Sequence, residues 1–150
     1  MDRNLTILIA EDSDDYALLL ERTFRDIGLT NPVRILADGA EVLAYLKGEG
    51  KYADRVEFPF PSVLFTDLKM PRSSGFDILE WMQKHPECGV IPRIVLSSSD
   101  SQQDVARAYE LGAHAYFMKP GLLVELQAIL RLTRAFWASC LKPPTPGVED

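Results

Sequence analysis

Val63-Leu64-Phe65-Thr66-Asp67 is an apolar run that ends in an acid, and it is followed by Leu68-Lys69-Met70-Pro71 and by Gly75. Such runs are typical of parallel strands covered on both faces. Ligands of open parallel sheets bind at the carboxyl ends of the strands, so Asp67 is predicted to face that crevice. A second apolar run, from Leu5 to Ala10, ends in Glu11 and Asp12. Three carboxylates at one edge of a sheet need a cation to balance their charge. A small set of ligands made only of oxygen atoms suits hydrated Mg²⁺ better than zinc or copper.

The rest of the chain alternates between strand-like and helix-like patterns. Strands are predicted at Leu5 to Ala10, Val33 to Ala37, Ser62 to Asp67, Arg93 to Ser97 and Ala115 to Met118, with amphipathic helices between them and after the last. Five such units without repeats predict one α/β domain with a doubly wound, five-stranded parallel sheet of flavodoxin-like order 2-1-3-4-5. Only 48–61 looks irregular, because it is longer than most helix-to-strand connections.

The last helix is predicted to be unusually long. Apolar residues recur at helical spacing, and Pro143 and Pro144 end the pattern; the stripe comprises Leu122, Leu126, Ile129, Leu130, Thr133, Phe136, Trp137 and Cys140. The expected organisation is a single domain over 1–141 with an extended last helix, followed by a flexible tail over 142–150.

Composition excludes several classes of function. The chain has 150 residues and a net charge of −6, and its pI of about 4.9 argues against a duplex nucleic-acid surface, which needs a basic face. No basic segment with an apolar run and cleavage site begins the chain, and charged residues interrupt the apolar stretch 121–141. We therefore expect neither secretion nor a membrane span. Cys88 and Cys140 lack metal-ligand spacing, which indicates reduced thiols in the cytoplasm.

Strands one, three, four and five are predicted to end together at one edge. They deliver Glu11 with Asp12, then Asp67, Ser97 and Lys119. Taken singly, these residues have plainer interpretations as helix-terminal charges, a turn former, a cap and a surface lysine. Together they are what phosphoryl transfer to a carboxylate requires: a nucleophilic acid, ligands for a divalent ion, and a hydroxyl and a cation for phosphate oxygens.

Two segments and their spacing resemble the receiver domains of two-component response regulators. Leu68-Lys69-Met70-Pro71 through Gly75 and Tyr116-Phe117-Met118-Lys119-Pro120 are typical of family segments. Ser97 follows Asp67 by 30 positions, and Lys119 follows Ser97 by 22. The resemblance covers residues 4–135, and it implies a signalling protein that is no enzyme beyond its own phosphotransfer and dephosphorylation.

The resemblance also implies a role for each site residue. Asp67 is the phospho-acceptor, and Lys119 contacts the phosphoryl group. Mg²⁺ is held by Glu11, Asp12, Asp67 and the carbonyl of Lys69. Ser97 and Tyr116 form the switch pair, in which Ser97 moves toward the phosphoryl group and Tyr116 swings inward, so that the surface formed by the fourth helix, fifth strand and fifth helix changes.

A finer resemblance points to the stand-alone receivers paired with bacterial phytochromes. It rests on 43–53 with the long loop after it, on 108–113 and on Phe136-Trp137. It implies a sensor histidine kinase as the upstream partner, here a phytochrome, and a downstream protein target or phosphotransfer protein. The late apolar face of Phe136, Trp137 and Cys140 predicts a homodimer through the fifth helix. The alternative is that these side chains pack against Phe58 and Phe60 of the long loop.

Other functions remain open from the sequence. A receiver without an output domain also fits a phosphorelay shuttle, or an interaction module that works without phosphate. A phosphatase of the haloacid-dehalogenase type needs a second acid two residues after Asp67, where this chain has Lys69. A flavin-binding module needs a Gly/Ser/Thr-rich phosphate loop after the first strand, where this chain has the acidic run 11–15.

Overall fold

The sheet is built from five parallel strands. The structure, a computed structural model, describes residues 6–139, with side chains described through residue 135. The strands are β1 (Ile7–Ala10), β2 (Val33–Leu36), β3 (Val63–Thr66), β4 (Arg93–Ser97) and β5 (Ala115–Met118). They pair in the order β2-β1-β3-β4-β5, and every neighbouring pair is parallel. The predicted α/β class and strand order are confirmed.

Helices cover both faces of the sheet. They are α1 (Asp14–Asp26), α2 (Gly39–Lys47), α3 (Gly75–Gln83), α4 (Gln102–Glu110) and α5 (Leu123–Ser139), and two 3-10 turns lie at Gly50–Ala53 and Pro86–Val90. Leu20 and Phe24 of α1 pack with Leu126 and Leu130 of α5 against one face. The other face is covered by α2, α3 and α4. Among residues 6–139, no helix combines the length and apolar character needed to cross a bilayer.

Helix starts follow the local chemistry of the sequence. Ser13 caps α1 by accepting the N–H of Tyr16 at 3.3 Å. Ser74 caps α3 in a reciprocal box with Asp77, in which each side chain accepts from the other residue's backbone N–H. Such caps satisfy amide groups that the first helical turn leaves unpaired. They set where α1 and α3 begin beside the carboxyl edge of the sheet.

The long α2–β3 connection is more ordered than its sequence predicts. Tyr52 of its 3-10 turn is buried, and Phe58 packs edge-on against both Tyr52 and Tyr45. Arg55 donates to the carbonyl of Leu46 at 3.0 Å. These aromatic and arginine contacts supply packing that a loop without periodicity does not reveal. The cluster lies on the α2 and α3 face of the sheet, opposite the α1 and α5 face.

The last helix differs from prediction at its start. The sequence pattern places Leu122 on the buried stripe, but α5 begins at Leu123 and Leu122 is exposed. Leu122 therefore precedes the helical periodicity that buries Leu126 and Leu130. The backbone of α5 is described through Ser139. The side chains of Phe136 and Trp137, residue Cys140 and the predicted tail 142–150 lie outside what the structure describes.

Candidate functional site

The register of β1 against β3 brings the first acids together. Ala10 pairs with Thr66, so Glu11 and Asp67 are the next residues of adjacent parallel strands. The N–H of Asp67 donates to the carbonyl of Ala10 at 2.9 Å, and the N–H of Glu11 donates to the carbonyl of Leu36 at 3.1 Å. The backbone is thus paired up to the point where both acids emerge.

Three carboxylates form a cluster at this edge. Glu11, Asp12 and Asp67 each offer an oxygen, and these oxygens lie within 4.8 Å of one another. Glu11 is only 2% exposed and Asp67 is also buried, whereas Asp12 is exposed to solvent. The cluster is therefore open on one side and closed on the other.

Lys119 is the cation of the cluster. Its backbone N–H donates to the carbonyl of Ser97 at 2.7 Å, which fixes the end of β5 against β4. Its Nζ donates to Asp67 Oδ2 at 2.9 Å and forms a second ion pair with Glu11 Oε1. Burial by itself lowers the pKa of Lys119, but the hydrogen bonds to Glu11 and Asp67 outweigh it and raise the pKa. The lysine stays charged.

Within the cluster, the pKa of Glu11 is raised strongly. Burial, together with the nearby charge of Asp67, raises the pKa of Glu11 to about 7, and the contact with Lys119 opposes that rise. Glu11 Oε2 is buried and has no hydrogen-bond partner within residues 6–139. A buried, unpaired carboxylate oxygen beside two more carboxylates is a donor set suited to a hard divalent cation. The residues present therefore fit Mg²⁺.

Asp67 is held in a fixed orientation. Its Oδ1 accepts the N–H of Leu68 at 2.7 Å, and its Oδ2 accepts from Lys119. The carbonyl of Leu68 accepts the N–H of Gly75 at 2.9 Å. A Cβ atom at Gly75 would lie 2.1 Å from the carbonyl oxygen of Asp67, so α3 approaches the end of β3 more closely than any residue other than glycine allows. Lys69 follows in the β3–α3 loop with an exposed side chain, and ligation by its carbonyl stays a prediction.

Ser97 and Tyr116 are linked through Ser99. Ser97 is buried at the end of β4, beside the strand of Asp67, and its Oγ accepts the N–H of Ser99 at 3.1 Å. The hydroxyl of Tyr116 donates to the carbonyl of Ser99 at 2.7 Å, and the Tyr116 ring packs against a small cluster that includes Val95 and Ala108. In this structure Tyr116 is thus half-buried and turned toward the β4–α4 loop.

Two residues at the site are not expected from the sequence. Ser99 bridges Ser97 and Tyr116, and it also donates to Asp104 of α4 at 2.6 Å. The ring of Tyr16 lies under the ammonium of Lys119, 4.5 Å from Nζ to the ring centroid. Tyr16 falls on the apolar stripe of α1, so sequence periodicity identifies it as a core residue and carries no sign of this second contact.

The fold and this edge place the chain in the class of flavodoxin-like α/β domains that carry an acid cluster and a lysine at the sheet edge. The sequence profile of the response regulator receiver domain matches residues 7–131. The chain belongs to the response regulator receiver domain family.

Relatives similar in sequence span nearly the whole chain. A probable methanogenesis regulatory protein of Methanothrix harundinacea is 29% identical over 144 residues, which cover 94% of this chain and 88% of that protein. The response regulator Rcp1 of Synechocystis is 28% identical over 138 residues, which cover 92% of each. Receiver-domain response regulators are signalling proteins.

Solved structures place the chain near phytochrome response regulators. A response regulator in red light signalling of R. palustris superposes with a TM-score of 0.87 at 30% identity, covering 94% of this chain and 99% of that one. The phosphorylated cyanobacterial phytochrome response regulator RcpA has a TM-score of 0.85 at 28% identity, with the same coverage. The Mn²⁺-bound form of Rcp1 has a TM-score of 0.81, also at 28% identity and with that coverage. The chain resembles this phytochrome-associated subgroup.

Proposed function

We propose that this chain is a cytoplasmic response regulator that accepts a phosphoryl group from a sensor histidine kinase on Asp67. The observation that carries the proposal is the setting of Asp67, which is buried, oriented by the N–H of Leu68, and paired with Lys119 at 2.9 Å beside two further acids. A turn-forming aspartate does not require a partly buried ammonium and an acid cluster around it.

The residues divide the chemistry of transfer between them. An Oδ atom of Asp67 attacks phosphorus, forming a P–O bond, while the bond from phosphorus to the donor's histidine nitrogen breaks. The Lys119 ammonium already lies beside Asp67 Oδ2, so it meets the charge that arrives with the phosphoryl oxygens. The N–H of Leu68 holds the other carboxylate oxygen and limits rotation of the acid.

Glu11, Asp12 and Asp67 are the residues that would hold Mg²⁺, together with the Lys69 carbonyl. When bound, the ion neutralises phosphoryl charge that three carboxylates would otherwise repel. Support comes from the buried, unpaired Glu11 Oε2 and from the donor set itself. The Mn²⁺-bound form of the similar protein Rcp1 is in keeping with a divalent site in this subgroup.

The proposed output is a change at the β4–α4 loop and β5. A phosphoryl group adds about −1.5 to −2 charge and strong acceptor oxygens, which favour an approaching hydroxyl donor from Ser97. Ser97 Oγ now accepts from the N–H of Ser99, whose carbonyl holds the Tyr116 hydroxyl. Movement of Ser97 therefore pulls on the residue that sets the position of Tyr116, and the equilibrium between two surfaces shifts.

Phosphotransfer from acetyl phosphate with Mg²⁺, followed by mass spectrometry of intact protein and of its peptides, tests the acceptor. The native chain should gain one phosphoryl group on the peptide that contains Asp67, and Asp67→Asn should gain none. Asp100→Asn is the matched control, because Asp100 is an exposed acid in the β4–α4 loop outside the acid cluster. Undiminished labelling of Asp67→Asn would move the acceptor elsewhere.

A phytochrome kinase is the proposed upstream partner. Support comes from the similarity to structures of response regulators described in red light signalling and as a cyanobacterial phytochrome response regulator. The signal then passes on to a downstream protein or phosphotransfer protein. Transfer from a phosphorylated bacterial phytochrome, compared with a histidine kinase of unrelated input, tests this; equal rates from both would remove the assignment.

The proposed assembly is a homodimer through the outer face of α5. Val124, Ala128 and Leu132 recur at helical spacing on α5 and are all exposed, Leu132 to 66%. Exposed apolar strips of this kind mark protein contacts. This described strip supports the dimer independently of Phe136 and Trp137, whose side chains are not described.

Sedimentation of the native chain, with and without acetyl phosphate, tests the dimer. Leu132→Glu should shift the protein to monomer, because it places a charge on the strip at its C-terminal residue. Val56→Glu is the control, since Val56 is 93% exposed on the α2–β3 connection. A native chain that stays monomeric at high micromolar concentration in both states contradicts the assembly.

A further inference from the structure

The ammonium of Lys119 has a third neighbour besides its two carboxylates. Its Nζ contacts Glu11 Oε1 and Asp67 Oδ2, and the face of the Tyr16 ring lies 4.5 Å away from Nζ to centroid. An ammonium carries three donors and no acceptor, so carboxylates on two sides leave one side for the ring. A cation over an aromatic face at this distance is attracted by the ring quadrupole, and the attraction grows when water is excluded.

Tyr16 is itself held in place by the cap of α1 and by the hydrophobic core. Its N–H donates to the Ser13 cap of α1, and its ring packs against the core cluster that contains Leu20 and Phe24. Its hydroxyl is buried and has no hydrogen-bond partner within the described residues. A buried hydroxyl without a partner costs free energy. The contact that this structure gives Tyr16 at the site is therefore that of its ring face and not of its hydroxyl.

We propose that Tyr16 is a positioning residue for Lys119: the ring holds the ammonium beside Asp67 Oδ2, ready for the phosphoryl oxygens. Its part in phosphotransfer rests on the function proposed above. A lysine held only by two carboxylates is drawn wherever their negative charge is greatest. A ring face attracts the ammonium without adding negative charge, so the ammonium keeps its place while its carboxylate partners change.

Phosphorylation kinetics test the role of the ring. With acetyl phosphate, Tyr16→Leu should be phosphorylated about two- to thirty-fold more slowly, the range expected for losing one cation–π contact. Tyr16→Phe, which keeps the ring, should recover most of the rate. Phe24→Leu removes a ring from the same core cluster away from Lys119, and it should lower stability without this slowing.

Comparing Tyr16→Leu in the native chain and in the Lys119→Ala variant distinguishes positioning of Lys119 from a general effect on core packing. In Lys119→Ala there is no ammonium for the ring to hold, so adding Tyr16→Leu should slow phosphorylation no further. Equal slowing by Tyr16→Leu with and without Lys119, or equal slowing by Phe24→Leu, would show that the ring acts only through the core and would overturn the proposal.

A spectroscopic readout needs no phosphoryl donor. The ε-methylene group of Lys119 adjoins the ammonium over the Tyr16 ring, so its proton NMR signals should carry a ring-current shift that Tyr16→Phe keeps and Tyr16→Leu loses. An unchanged shift in Tyr16→Leu would refute the contact. If the native chain accepts no phosphoryl group, the proposed function fails while this measurement still decides the contact.

Discussion

Gly75→Ala would place one methyl group between the start of α3 and the backbone of Asp67 and Leu68, just after β3. The new Cβ would lie 2.1 Å from the Asp67 carbonyl oxygen and 2.9 Å from the Cα of Leu68. Both are backbone atoms, so no side chain can rotate to make room. Replacing glycine by alanine in a helix gains at most about 1 kcal/mol. Overpacking typically costs about 1 to 3 kcal/mol, and the upper end applies here because only backbone can move. The clash therefore prevails, and we expect a net loss of about 2 kcal/mol.

Urea unfolding followed by circular dichroism measures this loss, and Gly89→Ala is the matched control. Gly89 lies in a 3-10 turn, and a Cβ there meets nothing within 4 Å, so its alanine variant should be neutral or slightly more stable. Because the clash falls on the carbonyl of Asp67, Gly75→Ala should also accept phosphate more slowly at temperatures where it stays folded. Equal unfolding midpoints for the two variants would refute the close-approach reasoning.

Three further results are expected. The pKa of Glu11 is about 7 in the folded chain against 4.5 for an unperturbed glutamate, so the folded state holds the extra proton between these values and stability falls as pH rises through them. Glu11→Gln should remove that fall, about 3 kcal/mol, in unfolding measured with EDTA. Asp12→Ala should weaken Mg²⁺ binding more than Glu11→Ala in calorimetric titration; equal losses would contradict it. Burial raises the pKa of Cys88 to about 11, so iodoacetamide at pH 8 should label it only after unfolding.

The chemistry at the sheet edge could be predicted because parallel strands place their carboxyl ends together. Once five apolar runs are assigned in a flavodoxin-like order, Glu11, Asp67 and Ser97 must emerge side by side, and the register of β1 with β3 bears this out for the acids. Lys119 is predictable for the same reason, since it directly follows β5. The strand pattern alone decides which residues meet at that edge.

Contacts that depend on side-chain direction could not be predicted in this way. Tyr16 is expected in the core and packs against it, but its ring also contacts the ammonium of Lys119. Hydrophobic periodicity predicts which face of a helix is buried. It does not predict which residues outside the core a side chain on that face also contacts. Ser99 is likewise hidden in a serine run, where only the structure shows which hydroxyl and which carbonyl are used.

Hydrophobic periodicity also does not predict the order of the α2–β3 connection. The connection from α2 to β3 has no periodicity, yet Tyr52 and Phe58 order it through ring contacts on the α2 and α3 face. The aromatics Phe58 and Phe60 are thus committed to the face opposite α5. The side chains of Phe136 and Trp137 lie outside what the structure describes, so their packing against these rings stays the alternative prediction to the proposed dimer.

The acid cluster shows why the site must be sensitive to added charge. One ammonium lies beside three carboxylates and pairs with two of them, Glu11 and Asp67, and burial raises the pKa of Glu11. We therefore expect this cluster to respond strongly to a divalent cation and to a phosphoryl group, because both would alter the charge balance around the Lys119 ammonium. The backbone N–H of Lys119 donates to the carbonyl of Ser97, and Ser97 is linked through Ser99 to Tyr116. We therefore expect a local change of charge to reach the surface formed by α4, β5 and α5.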